Sequence, residues 1–216
     1  MSKVVVVDYG IGNIFSVCSS IEEIGHQPIL TRDRKEILDS GSLVLPGVGS
    51  FDKAMNELRR FELDSILEEY IKKGNPFLGI CVGMQAMMSH GDEGNGAEGF
   101  GFIKGEVKRI DTSFQGTLIE SKKRLPIPHI AWSKVQLNGK QSRCYEIFMK
   151  KNSYMYFVHS YHCIPEAENE ISSYANYENL KITASIQKDN LTGVQFHPER
   201  SGPAGLEFLK DFFDQK

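Results

Sequence analysis

Residues 77–85 read Phe-Leu-Gly-Ile-Cys-Val-Gly-Met-Gln, an apolar run that breaks at a glycine-flanked cysteine and continues in helix-forming residues. That order predicts a buried strand, a sharp turn and a helix, with Cys81 at the corner. The Gly79-x-Cys81-x-Gly83 spacing suits such a corner because a nucleophile on an elbow has a strained backbone, and its neighbours must pack too closely for a Cβ. At a helix N-terminus, unpaired N–H groups and the positive end of the helix dipole favour a thiolate and can receive a developing oxyanion. The competing reading makes Cys81 a small buried hydrophobe.

A sulfur nucleophile needs a base and a group to orient that base. Thr192-Gly193-Val194-Gln195-Phe196 reads as a second strand, and His197-Pro198-Glu199 follows it directly. In an extended segment, residues two apart share a side at about 6.6 Å of rise. With Pro198 fixing the bend, the Glu199 carboxylate can turn back onto the His197 imidazole.

Around these stretches the chain alternates strand and helix. The β-branched run from Lys3 to Asp8 predicts a strand covered on both faces of a parallel sheet. Gly10 and Gly12 make a turn, and Ile14, Val17, Cys18, Ile21 and Ile24 recur at helical spacing, with Asn13 as the expected N-cap and Gly25 as the stop. Phe15 stands where a dinucleotide fingerprint needs its third glycine. Further strands are expected at Pro28–Leu30 and Leu43–Leu45, the latter ending in Pro46-Gly47-Val48-Gly49. Residues 51–73 predict two helical pieces closed by Gly74-Asn75-Pro76, and Met84–His90 predicts the elbow helix. Beyond Ile103 short alternating runs at 106–110, 154–158, 172–174 and 182–186 predict mixed or antiparallel strands. Ala204–Phe213 is an amphipathic closing helix. The expected fold is α/β: a doubly wound, mostly parallel sheet with added mixed strands, in a single domain over residues 1–216.

The 216 residues carry 25 basic against 28 acidic side chains, a formal net charge of -3, so the charge offers no general attraction for nucleic acid or an anionic membrane. No apolar stretch is long enough to cross a bilayer. Cys18, Cys81, Cys144 and Cys163 are far apart, without Cys-x-x-Cys or zinc-ligand spacing, and predict reduced thiols in a cytoplasmic protein. His159-Ser160-Tyr161-His162 lacks a carboxylate or thiol at ligand spacing. Neither metal nor cofactor is expected, and the substrate should be a small molecule.

Asp8–Asn13, Pro46–Gly49, Gly79–Gln85, Pro128–Trp132, Phe157–Tyr161 and Gln195–Glu199 together resemble the class I (triad) glutamine amidotransferases nearly end to end. Within that family the Pro-Gly-Val-Gly and Pro-His-x-x-Trp stretches are similar to the histidine-pathway glutaminases. The resemblance implies a Cys81–His197–Glu199 triad that hydrolyses glutamine to glutamate and ammonia through a cysteine thioester. It further implies Val48, Gly49 and Val82 at the oxyanion, and Gly47, Gln85, Glu93, Ser160 and Tyr161 on the glutamine, with Asp92 and Glu98 as rivals to Glu93. His162 is left structural. Trp132 is implied at an interface with a partner synthase, a cyclase subunit that forms a heterodimer and makes imidazole glycerol phosphate. The alternative is a paralogue supplying ammonia to a synthase that aminates a sugar in surface-polysaccharide formation. Ser133 after the tryptophan and the basic stretch Gln115–Arg124 depart from the histidine-pathway pattern and leave that alternative open.

Overall fold

A computed structural model describes residues 3–110, 126–139, 154–178 and 180–214. The basic stretch Gln115–Arg124 and Cys144 lie outside the described residues.

Five parallel strands form one half of a nine-stranded sheet: β1 (Lys3–Val7), β2 (Gln27–Thr31), β3 (Ser42–Leu45), β4 (Phe77–Ile80) and, far along the chain, Leu191–Val194. Their order in space is β2, β1, β3, β4, Leu191–Val194. Val4–Val7, Leu43–Leu45 and Phe77–Ile80 are buried throughout, as continuous apolar runs in a two-sided sheet must be. Between these strands run α1 (Ile14–Glu23), α2 (Arg34–Leu38), α3 (Phe51–Arg60), α4 (Leu63–Lys72) and α5 (Val82–Ala86).

The second half of the sheet is antiparallel, as the alternating texture predicts. It comprises β8 (His129–Leu137), β9 (Tyr154–His159), β11 (Ile171–Tyr177) and β12 (Leu180–Lys188), and β12 pairs with the returning parallel strand, β13 (Leu191–Val194). A separate four-stranded sheet joins β5 (His90–Gly91), β6 (Ala97–Glu98), β7 (Gly105–Arg109) and β10 (Tyr161–Pro165) in the order β10, β7, β5, β6. The chain leaves the large sheet at His159 and enters the small one at Tyr161, so Ser160 is the step between them. Finally α6 (Gly202–Asp214) packs against α1, while α2 and α3 pack with α4. The two groups of helices match the covering of a doubly wound sheet.

Two local expectations are corrected. The elbow helix runs Val82–Ala86, not Met84–His90. Its end is pulled away by the returning chain, because the carbonyls of Ala86, Met87 and Met88 accept from the backbone N–H groups of Phe100, Ile103 and Gly101. His90 consequently joins β5. Asn13 precedes α1 but makes no side-chain capping bond. Its Oδ1 accepts from Ser16 Oγ at 2.9 Å, and its amide nitrogen reaches Glu199, 186 residues away.

Candidate active site

Four neighbouring parallel strands, β1, β3, β4 and β13, end on the same side of the sheet, and the residues just past their carboxyl ends make the site. At the end of β4, Cys81 has φ 54° and ψ −109°, a positive φ that a non-glycine residue adopts at a cost of about 1–3 kcal/mol. Neighbouring contacts hold it there. The Cys81 N–H donates to Val194 O at 2.7 Å, and its carbonyl accepts from Gln85 N at 3.0 Å. A Cβ on Gly83 would stand 1.9 Å from the Leu45 carbonyl oxygen, and one on Gly79 would stand 2.6 Å from the Gly83 oxygen. Both glycines are therefore demanded by backbone-to-backbone packing. With α5 only five residues long, nearby N–H groups matter more than a macrodipole.

Past β13, the His197 and Glu199 side chains are almost completely buried, and Nδ1 of His197 donates to Glu199 Oε1 at 2.9 Å. The geometry differs from an extended dipeptide. Pro198–Arg200 forms a 3-10 turn, which curls the carboxylate back under the ring. Burial disfavours an imidazolium at His197, but the Cys81 sulfur and the Glu199 carboxylate outweigh it and push the pKa up to about 10. His197 Nε2 is buried without a hydrogen-bond partner among the described residues. The Cys81 sulfur is nonetheless close enough to the imidazole to be among the groups that raise its pKa, and catalytic hydrogen bonds in unliganded sites are often poorly aligned.

Cys81 and His197 open into a cavity of about 230 Å³ whose lining also includes Val48, Gly49, Val82, Gln85, Glu93, Ser160 and Tyr161. Glu93 Oε2 accepts from Phe51 N at the start of α3, at 2.7 Å, while desolvation raises its pKa above the usual carboxylate value. Asp92 and Glu98 do not line this cavity; both lie beside His90. Gly47 is not part of this lining, and a Cβ there would meet Gly83 N, Tyr9 Oη and Val82 Cβ, each at 2.8 Å. Its bareness makes room for the elbow.

A family model described as glutamine amidotransferase class-I matches residues 5–216. The chain belongs to that family. Curated relatives named imidazole glycerol phosphate synthase subunit HisH share 40% identity in Prochlorococcus marinus subsp. pastoris, 38% in Lactococcus lactis subsp. lactis and 39% in Methanosarcina barkeri. The alignments cover 97%, 100% and 99% of this chain, and the same shares of those proteins. Among solved structures, a chain of PurLQS from Thermotoga maritima superposes with a TM-score of 0.74 at 16% identity, covering 99% of both chains. A structure described as a glutamine amidotransferase gives 0.68 at 13% identity over 97% of this chain. At those identities the likeness concerns the fold, which is that of the class I amidotransferases.

Several residues around this amidotransferase cavity carried no expectation of a part in the site. Asn13 Nδ2 donates to Glu199 Oε1 at 3.4 Å, supporting the carboxylate from the end of β1. Gln195 is fully buried with Nε2 3.5 Å from Cys81 Sγ. Its place in the apolar strand run was the available signal, since a buried amide must find polar partners. His162, left structural, is half-buried, with its Nδ1 enclosed and unpartnered among the described residues, and desolvation pushes its pKa down to about 4.

Trp132 is 53% exposed. It lies opposite Tyr156 on the β8–β9 pair, and on the same sheet face Ile130 and Tyr154 are also exposed. Val158, opposite Ile130, lines the cavity, so this apolar face adjoins its wall.

Proposed function

We propose that this chain is the glutaminase subunit of an imidazole glycerol phosphate synthase, acting as a single amidotransferase domain over residues 1–216. The observation that carries the chemistry is a buried His197–Glu199 pair beside a strained cysteine at the wall of one cavity. The names of the full-length relatives supply the pathway. They lend no support to a synthase that aminates a sugar.

In this reading the Cys81 thiolate attacks the side-chain carbonyl carbon of glutamine. The resulting oxyanion is received by backbone N–H groups around Val48, Gly49 and Val82. His197, protonated in the resting pair, gives its Nε2 proton to the departing nitrogen as the C–N bond breaks, leaving a thioester and ammonia. The neutral imidazole then takes a proton from water, whose oxygen attacks the thioester. Collapse of the second intermediate returns the thiolate and releases glutamate. Glu199 keeps Nδ1 protonated and stabilises the imidazolium. Both hydrogens of the Gln85 amide are committed to protein acceptors, Tyr161 O and Gln195 Oε1. Its carbonyl oxygen is the group left for the substrate, while Glu93 suits the α-ammonium and Ser160 and Tyr161 the α-carboxylate end.

Ammonia must reach an acceptor before water protonates it, so the glutaminase works docked to a cyclase as a heterodimer. Its apolar face of Ile130, Trp132 and Tyr154 is the surface for that partner. The free thiols Cys18, Cys81 and Cys163 suit a reducing compartment, and the reading places the protein in the cytoplasm. Among the described residues, no helix is long and apolar enough to cross a membrane. Gly49 has φ +88°, and nothing lies within 4 Å of a Cβ built on it. Without a Cβ, Gly49 can take either sign of φ, which lets the peptide beside it turn toward or away from the oxyanion when a partner binds. Loss of one such donor typically costs about 100- to 1000-fold in rate, enough for a resting off state.

The test measures glutamate release by the chain alone, by the chain with a purified cyclase subunit, and by that complex with its acceptor bound. Stepwise acceleration is expected. Cys81→Ala should abolish glutamine-dependent synthesis and leave synthesis from ammonium intact. Glutaminase turnover in Cys81→Ala, or equal rates in all three mixtures, would overturn the reading of a partner-gated cysteine glutaminase.

A further inference from the structure

The hydrogen bonds behind Cys81 run in one direction, and a backbone carbonyl sets that direction. Tyr161 O can only accept, and it accepts from His159 Nδ1 at 2.9 Å and from Gln85 Nε2 at 3.2 Å. Gln85 must therefore turn its amide nitrogen inward, and the same nitrogen donates to Gln195 Oε1 at 3.1 Å. Gln195 is then obliged to present Nε2, not Oε1, to the sulfur 3.5 Å away. Two amides that could each be reversed are locked by one carbonyl. We propose that Gln195 is a positioning residue that holds the Cys81 sulfur as a thiolate, with the direction of its amide imposed from strand β10 through Gln85.

The chain of bonds continues outward in the same sense. His159 donates through Nδ1, so its Nε2 accepts from His129 Nδ1 at 3.0 Å, and His129 Nε2 in turn accepts from the Ser133 hydroxyl at 3.0 Å. Both imidazoles are neutral, because burial holds His129 at about 4 and His159 at about 3. The Tyr161 carbonyl thus fixes both tautomers, and the Ser133 hydroxyl, which can donate or accept, follows them. Gln195 itself is fully buried and anchored by its backbone N–H to Ala184 O at 2.9 Å, so its side chain approaches the sulfur from a rigid strand end.

A donor aimed at sulfur stabilises the thiolate over the thiol, whose hydrogen would need an acceptor. The other titratable groups that feel the Cys81 charge are His197, Tyr9 and Cys163, with Glu199 acting through His197. Burial raises the Tyr9 and Cys163 pKa values, so both stay neutral, and His197 supplies the positive charge. A change at Gln195 leaves all of these in place.

The inference rests on Cys81 as the nucleophile, and its test does not require turnover. The rate of Cys81 alkylation by iodoacetamide is followed against pH at the Cys81 peptide, in the whole chain, for wild type, Gln195→Met and the near-isosteric Gln195→Glu. The pH midpoint should rise by about one unit in Gln195→Met, a tenfold loss of thiolate at a fixed pH below the midpoint. It should rise further in Gln195→Glu, where a carboxylate faces the sulfur. In the complex with a cyclase subunit, kcat should fall about tenfold with KM for glutamine changed less than twofold. An unchanged midpoint in Gln195→Glu overturns the assignment whatever the activity. A shifted midpoint in a chain that never hydrolyses glutamine sustains it and overturns the glutaminase reading instead.

Discussion

Nδ1 of His197 donates to Oε1 of Glu199 at 2.9 Å, and that same oxygen takes a second, longer bond of 3.4 Å from Asn13 Nδ2. The carboxylate is thereby held from the ends of two strands, β13 through its own turn and β1 through Asn13. A base oriented this way loses more when the base is removed than when its support is weakened. His197→Asn is expected to lose about as much glutaminase kcat as Cys81→Ala, and Glu199→Gln about one to two orders of magnitude less. Steady-state glutamate release by the complex gives the ranking, and a Glu199→Gln loss equal to that of His197→Asn would contradict it.

Acid should destabilise the isolated chain well before its carboxylates titrate. Burial holds His129, His159 and His162 at about 4, 3 and 4, against an ordinary value near 6.5. Between about 6.5 and 4 the unfolded chain takes up protons that the folded chain refuses, so stability falls as pH falls through that window. His197 works in the opposite sense. Its pKa is raised to about 10, so its contribution is complete below about 6.5 and is lost as pH rises through about 10. Urea unfolding at pH 7.5 and 5.0 should show a clear loss at the lower pH. His129→Gln should shrink that difference, and an unaltered slope would show that His129 takes a proton without unfolding.

Gly83→Ala should be among the most damaging small substitutions in the chain. Its Cβ would stand 1.9 Å from a backbone oxygen, so strand or helix has to move, at about 3 kcal/mol or more. For a chain of this size that corresponds to a drop of about 6–12 °C in Tm. Gly41→Ala is the control, because nothing lies within 4 Å of a Cβ there. Equal melting of the two variants would show that the elbow relaxes freely.

Trp132→Ala should leave the melting of the isolated chain nearly unchanged, since half of the side chain already faces solvent. Binding to the cyclase should weaken by about 2 kcal/mol, close to thirtyfold in Kd. Calorimetric titration of the cyclase subunit measures it. A large fall in Tm with unchanged affinity would return Trp132 to a structural role.

The order of strands through β4, the split of residues 51–73 into two helices and the change to antiparallel strands after residue 103 all follow from the sequence. Each is a local property: apolar periodicity, glycine and proline punctuation, or a run long enough to exceed the noise of composition. The five-residue α2 and strand β10, which starts two residues after β9 ends, are too short or too continuous to show a period of their own. The steric need for Gly79 and Gly83 was also legible, because an elbow implies it before any neighbour is known.

Tertiary structure alone decided what each polar group near Cys81 is bonded to. Asn13 read as a helix cap, yet its amide is taken by a carboxylate 186 residues away; at Gly47 the missing Cβ is the gap into which Val82 and Gly83 pack. Nothing local marks which way the amides of Gln85 and Gln195 point, since their partners come from strands far apart in sequence and a backbone carbonyl at Tyr161 sets the direction for both. Periodicity reports which face of an element is buried, whereas hydrogen-bond direction is a pairwise property of groups that only folding brings within 3.5 Å.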